Sequence, residues 1–337
     1  MKVLILKPSS LGDVVQALPV LRLLKAHQPQ DQVYWWISSD LAGLLHNDPD
    51  LSGIFLFPRR RWASPRHWRQ LLQSVRQMRA HRFDLVIDLQ GLARSAVVGW
   101  LARGQLTLGV EDWREGAPAL YDVVVPAPAD SRHAVDRYLE VPRLLNIPVH
   151  WNFNWLPLRP EAAAQVKKHW TPGRWLVLSP GARWKNKRWP IERYAAVVRE
   201  LGQRHPDLRF AILGTAADGP LAEEIIQANS RQCVDLTGRT TLAEMIEWVR
   251  LSDVMLTNDT GPMHIAAALR KPIVSVFGPT DPRRTGPYGQ LDRCLRIALP
   301  CAPCLKPTCR YRQPLECLRA ITPAEVVAQI EPLLRVE

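Results

Sequence analysis

Three loops of this chain bring together residue types that can hold an anion or move a proton. The first is Pro8-Ser9-Ser10-Leu11-Gly12-Asp13, directly after an apolar N-terminal run. Gly12 permits a tight turn. Asp13 stands at the start of a predicted helix, where a carboxylate can act as a general base. The same residue can equally serve as a cap, because Asp is favoured at helix starts and Ser10 lies three residues earlier. Local chemistry leaves both readings open.

The second loop runs from Ser179 to Pro190 and carries Arg183, Lys185, Lys187 and Arg188, four cations within six positions. At a strand end, just before a helix, they would concentrate positive potential on an anionic ligand; the plainer alternative is a solvated basic loop. The third is Asn258-Asp259-Thr260-Gly261-Pro262-Met263-His264. Asp259 and Thr260 are good caps, Gly261 lets backbone N–H groups approach a ligand, and Pro262 falls in the first turn, where its missing N–H costs nothing. A further turn-rich segment, Phe277 to Pro282, belongs to the same rim. No Gly-x-Gly-x-x-Gly follows the first strand and no Gly-x-x-x-x-Gly-Lys-Ser/Thr occurs, so a dinucleotide dehydrogenase and a P-loop ATPase lose support.

Four cysteines close in sequence, Cys301-x2-Cys304-x4-Cys309-x7-Cys317, make a reasonable metal set, although the spacing is not a pair of short knuckles. Structural thiols are the leading reading and a structural zinc the alternative; disulfides are not expected in a reducing compartment. Cys233 and Cys294 read as packing residues.

The elements that must position these loops follow from the hydrophobic pattern. Strands are predicted at 2–7, 33–37, 54–57 and 85–88, with helices at 14–27 and 66–80. Leu71, Leu72, Val75 and Met78 are assigned to one face of the second helix. The periodicity lapses between Pro148 and Pro160 into a Trp-, Asn- and Pro-rich stretch, the best linker candidate. After it the same grammar restarts, with strands at 175–179, 210–213, 254–258 and 273–277. Helices follow at 191–204, 221–228, 242–251, 261–269 and 323–334. The alternation predicts two parallel-sheet α/β domains, 1–155 and 156–337, facing a central cleft, with the last helix free to dock on either one. In such sheets the loops at the carboxyl ends of the strands collect ligands.

Composition agrees and excludes other classes. The 337 residues suit two domains, and 47% hydrophobic with 23% charged residues is globular rather than disordered. The N-terminal apolar run is too short for a signal peptide, and no stretch of about 18 residues lacks charge, so a cytoplasmic protein is expected. Lys plus Arg is 44 against 32 Asp plus Glu, a net +12 that favours anionic partners without choosing among phosphates, nucleic acid and membrane headgroups. Thirteen Trp residues suit stacking surfaces, but core packing is their commoner use.

Taken together and in order, Lys7-Pro-Ser-Ser-Leu-Gly-Asp13, Lys187-Arg-Trp-Pro190, Asn258-Asp-Thr-Gly-Pro-Met-His264 and Phe277-Gly-Pro-Thr-Asp-Pro282 resemble the ADP-heptose:lipopolysaccharide heptosyltransferases of glycosyltransferase family 9. The resemblance spans essentially the whole chain. It implies two Rossmann-like domains of the GT-B architecture, with the acceptor held by the N-terminal half and the sugar nucleotide by the C-terminal half. It further implies inverting transfer of heptose from ADP-heptose to the lipopolysaccharide inner core, with Asp13 as catalytic base and Lys187 on the donor phosphates. Asp259, Thr260 and Gly261 would bind the diphosphate and sugar, with His264 close by. Arg183 and Lys185 would add donor charge, and Ser9, Ser10 and Gly12 would line the acceptor side. No metal, cofactor or obligate protein partner is implied. The chain departs from some family members in carrying Ala182-Arg183 in place of Thr-Thr, and for the nucleotide ribose both Asp218 and Glu223 fall near the expected place.

The segment Arg59 to Arg69 carries five Arg and two Trp. An ordinary solvated charge run is one reading. With an anionic glycolipid acceptor at the cytoplasmic face of the inner membrane, Arg59, Arg60 and Arg61 become acceptor-binding candidates and the enzyme a peripheral membrane protein. The rivals are the same fold with another nucleotide sugar and, from a different class, a basic nucleic-acid binding protein.

Overall fold

The computed structural model describes residues 1–57, 65–111 and 115–335, with the side chains of 65–68 left aside. The chain forms two compact units, Met1–Pro157 and Leu158–Glu337. The first contains β1 (Lys2–Leu6), α1 (Leu11–His27), β2 (Gln32–Ser38), β3 (Gly53–Phe57), α2 (Pro65–His81) and β4 (Leu85–Asp88). It continues through α3 (Ala93–Ala102), β5 (Leu106–Val110), β6 (Val123–Val125) and α4 (Ala134–Leu144). Its strands make one parallel six-stranded sheet in the order β3-β2-β1-β4-β5-β6.

The second unit contains α5 (Pro160–His169), β7 (Trp175–Ser179), α6 (Ile191–Arg204), β8 (Arg209–Ile212), α7 (Gly219–Ala228), β9 (Cys233–Asp235), α8 (Leu242–Leu251) and β10 (Val254–Asn258). The chain then runs through α9 (Gly261–Ala268), β11 (Ile273–Phe277), α10 (Pro282–Thr285), β12 (Cys294–Arg296), α11 (Glu316–Arg319) and α12 (Pro323–Leu334). Its sheet, β12-β11-β10-β7-β8-β9, is also parallel throughout and repeats the order of the first.

Strands buried on both faces are apolar along most of their length, and in the central strands Val3 to Leu6 and Leu176 to Leu178 have no exposed surface. In the first unit Leu4, Leu6, Trp36, Phe57, Met78 and Phe83 pack together under α2. Leu71 joins them, but Leu72 is 53% exposed. That corrects the predicted face, since Leu71, Val75 and Met78 follow the i, i+4, i+7 stripe and Leu72 lies about 100° around the helix. Trp35, Trp36, Trp175, Trp189 and Trp248 are all core residues.

The Trp-rich stretch before α5 has no regular structure, yet it does not hang free. Trp155 is buried, stacks on Trp151 at 5.6 Å, and its carbonyl accepts both Nε and Nη2 of the buried Arg22. The C-terminal helix α12 packs within the second unit, where Val326, Val327, Ile330 and Leu334 complete the core against α6 and the central strands. Nine elements escape the sequence pattern: α3, β5, β6, α4, α5, β9, α10, β12 and α11. Among them the edge strands β6, β9 and β12 have three residues each and the helices α10 and α11 four each, too few to show a period. Among the described residues no helix is long and apolar enough to cross a membrane.

Candidate active site

In a doubly wound sheet the strand order reverses between two neighbouring strands, and the loops leaving their carboxyl ends diverge to opposite faces and open a crevice. In the first unit the reversal lies between β1 and β4, where Leu6 pairs with Asp88. In the second it lies between β7 and β10, where Ser179 pairs with Thr257. The loops leaving these four strands begin at Lys7, Leu89, Pro180 and Asp259, so three of the four are the segments singled out by residue type.

In the first unit Ser10 is the N-cap of α1 and Asp13 its third residue. The Asp13 carboxylate accepts the Ser10 backbone N–H at 2.9 Å and the Ser10 hydroxyl at 2.5 Å, both on Oδ2. The cap is therefore Ser10, with Asp13 as its reciprocal partner. Asp13 remains half-buried, Gly12 and Ser9 are buried, and Ser10 is exposed. The loop before the helix is pinned from behind: the Ser38 N–H donates to Pro8 O and Trp35 Nε1 to Lys7 O.

Two groups here were assigned no role from the sequence. Lys7 is buried, its Nζ donating to Leu89 O at 2.9 Å and lying 4.8 Å from the Tyr138 ring centroid. Burial works against its charge, but Tyr138, Asp13 and Asp88 outweigh that, and the ammonium is held protonated above its ordinary range. Asp88 has no exposed surface and accepts from Tyr121 Oη, Gln90 N and Gly91 N. Burial nevertheless pushes its carboxyl upward against those hydrogen bonds. The signal available for both was a charged residue closing an apolar strand at the sheet's carboxyl edge.

In the second unit the basic loop forms a single 3₁₀ turn, Lys185–Lys187, which sorts its side chains by direction. Asn186 turns inward and gives its Nδ2 to Lys306 O; Arg183 and Lys185 are exposed and form no ion pair among the described residues. Lys187 Nζ reaches Asp259 Oδ2 at 2.6 Å and lies 5.0 Å from the Trp184 ring centroid. Thr280 Oγ1 donates to the same oxygen at 2.6 Å. Asp259 is buried and thus gathers the loops after β7, β10 and β11. Thr280 lies in the segment that the sequence places on the same rim and among the four motifs, but its own role was not assigned there.

The buried Asn258 locks this arrangement, accepting the Trp189 N–H at 3.0 Å and donating to Pro180 O at 2.7 Å. Thr260 caps α9 without a side-chain bond; Pro262 has no N–H and the Met263 N–H donates to Thr260 O, so the Gly261 N–H is the donor that the start of α9 offers a ligand. His264 is buried in α9. Arg188 Nε donates to Ala182 O and its guanidinium lies 3.4 Å from Asp218, whose other oxygen accepts from Thr215 N and Oγ1. Of the two acidic candidates, Asp218 is buried between loops and Glu223 is exposed on α7. Arg59, Arg60 and Arg61 lie outside the described residues.

Comparison with known proteins places this geometry. Residues 71–314 match the model of glycosyltransferase family 9 (heptosyltransferase). The chain is 32% identical to lipopolysaccharide heptosyltransferase 1 of Pseudomonas aeruginosa over 99% of its own length and 98% of that protein's. Its fold is similar to that of a family 9 glycosyltransferase from Veillonella parvula (TM-score 0.82, 20% identity, 99% and 97% of the two chains). It is also similar to E. coli heptosyltransferase WaaC solved with ADP (TM-score 0.79, 24% identity, 99% and 100%). With four ordered motifs, two doubly wound sheets and a full-length relative in agreement, the chain belongs to glycosyltransferase family 9, the heptosyltransferases.

Proposed function

We propose that this enzyme transfers heptose from ADP-heptose to the inner core of lipopolysaccharide with inversion at the anomeric carbon. The observation that carries the reading is the junction of Lys187, Asp259 and Thr280 at the strand-order reversal of the second unit, flanked by the open N-terminus of α9. It is a ready diphosphate cradle: one ammonium with donors to spare, the Gly261 backbone N–H at the start of α9, and Arg183 and Lys185 supplying charge that no carboxylate of the described residues cancels. These groups stabilise the charge that develops on departing ADP. No catalytic metal is required of Asp259, whose Oδ2 is already taken by Lys187 and Thr280.

The first unit holds the acceptor, with Ser9, Ser10 and Gly12 lining the loop and Asp13 taking the proton of the attacking hydroxyl. Ser10 fixes the Asp13 carboxylate by two hydrogen bonds, both on Oδ2, and so holds it in one orientation at the loop. General-base help of this kind contributes about 10²–10⁴-fold. Arg59, Arg60 and Arg61 bind the anionic glycolipid and hold the cytoplasmic enzyme peripherally at the inner membrane, a role supported by the net charge of +12. Asp218, on the loop after β8, is the better placed of the two acidic residues for the ribose.

The test is to incubate the protein with a panel of sugar nucleotides and truncated lipopolysaccharide acceptors and weigh the products. Gain of one heptose only with ADP-heptose supports the reading. Transfer from another nucleotide sugar in preference would overturn the donor assignment.

A further inference from the structure

Residues 297–315 form no helix or strand, a run longer than the roughly 12–15 residues a compact domain ordinarily leaves without structure. Four of the chain's six cysteines fall in or just after it, and none is in a disulfide. Cys301, Cys304, Cys309 and Cys317 line one cavity together with Asn186 and Pro279. All four are half-buried. The Leu315 N–H points at Cys309 Sγ at 3.4 Å, the kind of backbone support that ligating thiolates receive.

We propose that these four cysteines bind one thiophilic metal ion, Zn²⁺ or Fe²⁺, in a tetrathiolate site that braces the donor loops from behind. Four thiol sulfurs and no oxygen or imidazole ligand select soft, tetrahedral cations over Mg²⁺ or Ca²⁺. Among the described residues no three such side chains already stand in ligating geometry, so binding turns the thiols inward to metal–sulfur distances of about 2.3 Å. Each thiol that ligates releases its proton to solvent, and no electron moves.

The cavity wall is the back of the candidate active site. Asn186, beside Lys187, donates to Lys306 O at 2.8 Å, and Pro279 O, beside Thr280, accepts the Leu305 N–H at 2.8 Å. Gly278 lies so close that a Cβ there would stand 3.2 Å from Cys317 Sγ. A metal knot in 301–317 therefore fixes the two loops that grip Asp259. This consequence rests on the donor-site reading; the metal site itself does not.

The experiment is elemental analysis of the full-length protein as purified, followed by Co²⁺ titration of chelator-treated protein. The expected result is one zinc or iron per chain and, with Co²⁺, thiolate-to-cobalt charge-transfer absorption that saturates at one equivalent. Cys304→Ser and Cys309→Ser should each lose that band, and chelation should lower the melting temperature and weaken ADP binding several-fold. Metal well below stoichiometric amounts with no cobalt–thiolate band in the wild-type protein would overturn the proposal, whatever the variants do. Metal bound with unchanged ADP affinity keeps the site and removes only its link to the donor loops.

Discussion

Lys187 Nζ and Asp259 Oδ2 stand 2.6 Å apart, joining the loop after β7 to the loop after β10, with the carboxylate side chain only 5% exposed. Removing the lysine therefore does two things. Lys187→Ala deprives a buried carboxylate of its cation, costing about 1–3 kcal/mol of stability, and removes a diphosphate contact, raising the Kd for ADP about tenfold or more. Adding Asp259→Asn should restore part of the melting temperature but not the ADP affinity measured by calorimetry. Full recovery of ADP binding in the double variant would mean that Lys187 serves only Asp259.

Asp13→Asn keeps an oxygen that can accept from Ser10, so α1 should stay capped while turnover drops by about 10² or more. Ser10→Ala should cost about 0.5–2 kcal/mol as a lost cap. Kinetics alongside thermal melts separate the roles, and near-normal turnover in Asp13→Asn would leave Asp13 a capping residue.

Asp88 carries a pH signature. Burial raises its carboxyl above the ordinary value of 3.8. A group raised in this way contributes stability that is fully present below the unfolded value and is lost as pH rises through the folded one. Asp88→Asn does not titrate, so its melting temperature relative to wild type should climb as pH rises from about 3.8 through the carboxyl's folded value and then level off. A difference that stays flat across that range would mean Asp88 is ionised in the native protein without penalty.

Gly181 is a position where space alone decides. A Cβ there would stand 2.8 Å from the Asp218 carboxylate, which also faces Arg188. Gly181→Ala should destabilise by about 1–3 kcal/mol through overpacking and weaken ADP binding by displacing Asp218. An unchanged urea midpoint would show that the carboxylate can move aside freely.

Arg22 anchors the chain before α5. Its guanidinium meets Asp48 through both Nη atoms, at 2.6 and 2.5 Å, meets Asp50 at 2.6 Å, and donates to Trp155 O. Arg22→Leu should cost about 3–5 kcal/mol in urea unfolding, since Asp48 would be left buried without its partner. A loss below about 1 kcal/mol would place this pair among ordinary surface bridges.

Much of this molecule was legible in one dimension. The buried central strands announce themselves as largely apolar runs, which is why 85–88, 175–179, 254–258 and 273–277 are legible to the residue. Loop residue types at strand ends marked Asp13, Lys187 and Asp259, because helix caps, cations and glycines cluster where a sheet holds an anion. A net charge of +12 could not separate a phosphate-binding enzyme from a nucleic-acid binder, whereas four ordered motifs could.

Tertiary structure alone decided the rest. That Ser10 rather than Asp13 is the cap depends on which backbone turn begins α1. Thr280 joins Asp259 across 21 residues and Lys187 joins it across 72, contacts that only the parallel order of β7, β10 and β11 creates. Asp88 and Lys7 become neighbours because β1 and β4 pair at the strand-order reversal, 82 residues apart at Leu6 and Asp88. Local sequence carries the propensity of each turn and the polarity of each face. Which side chains meet is set by strand order and register, which depend on the burial of the whole sheet.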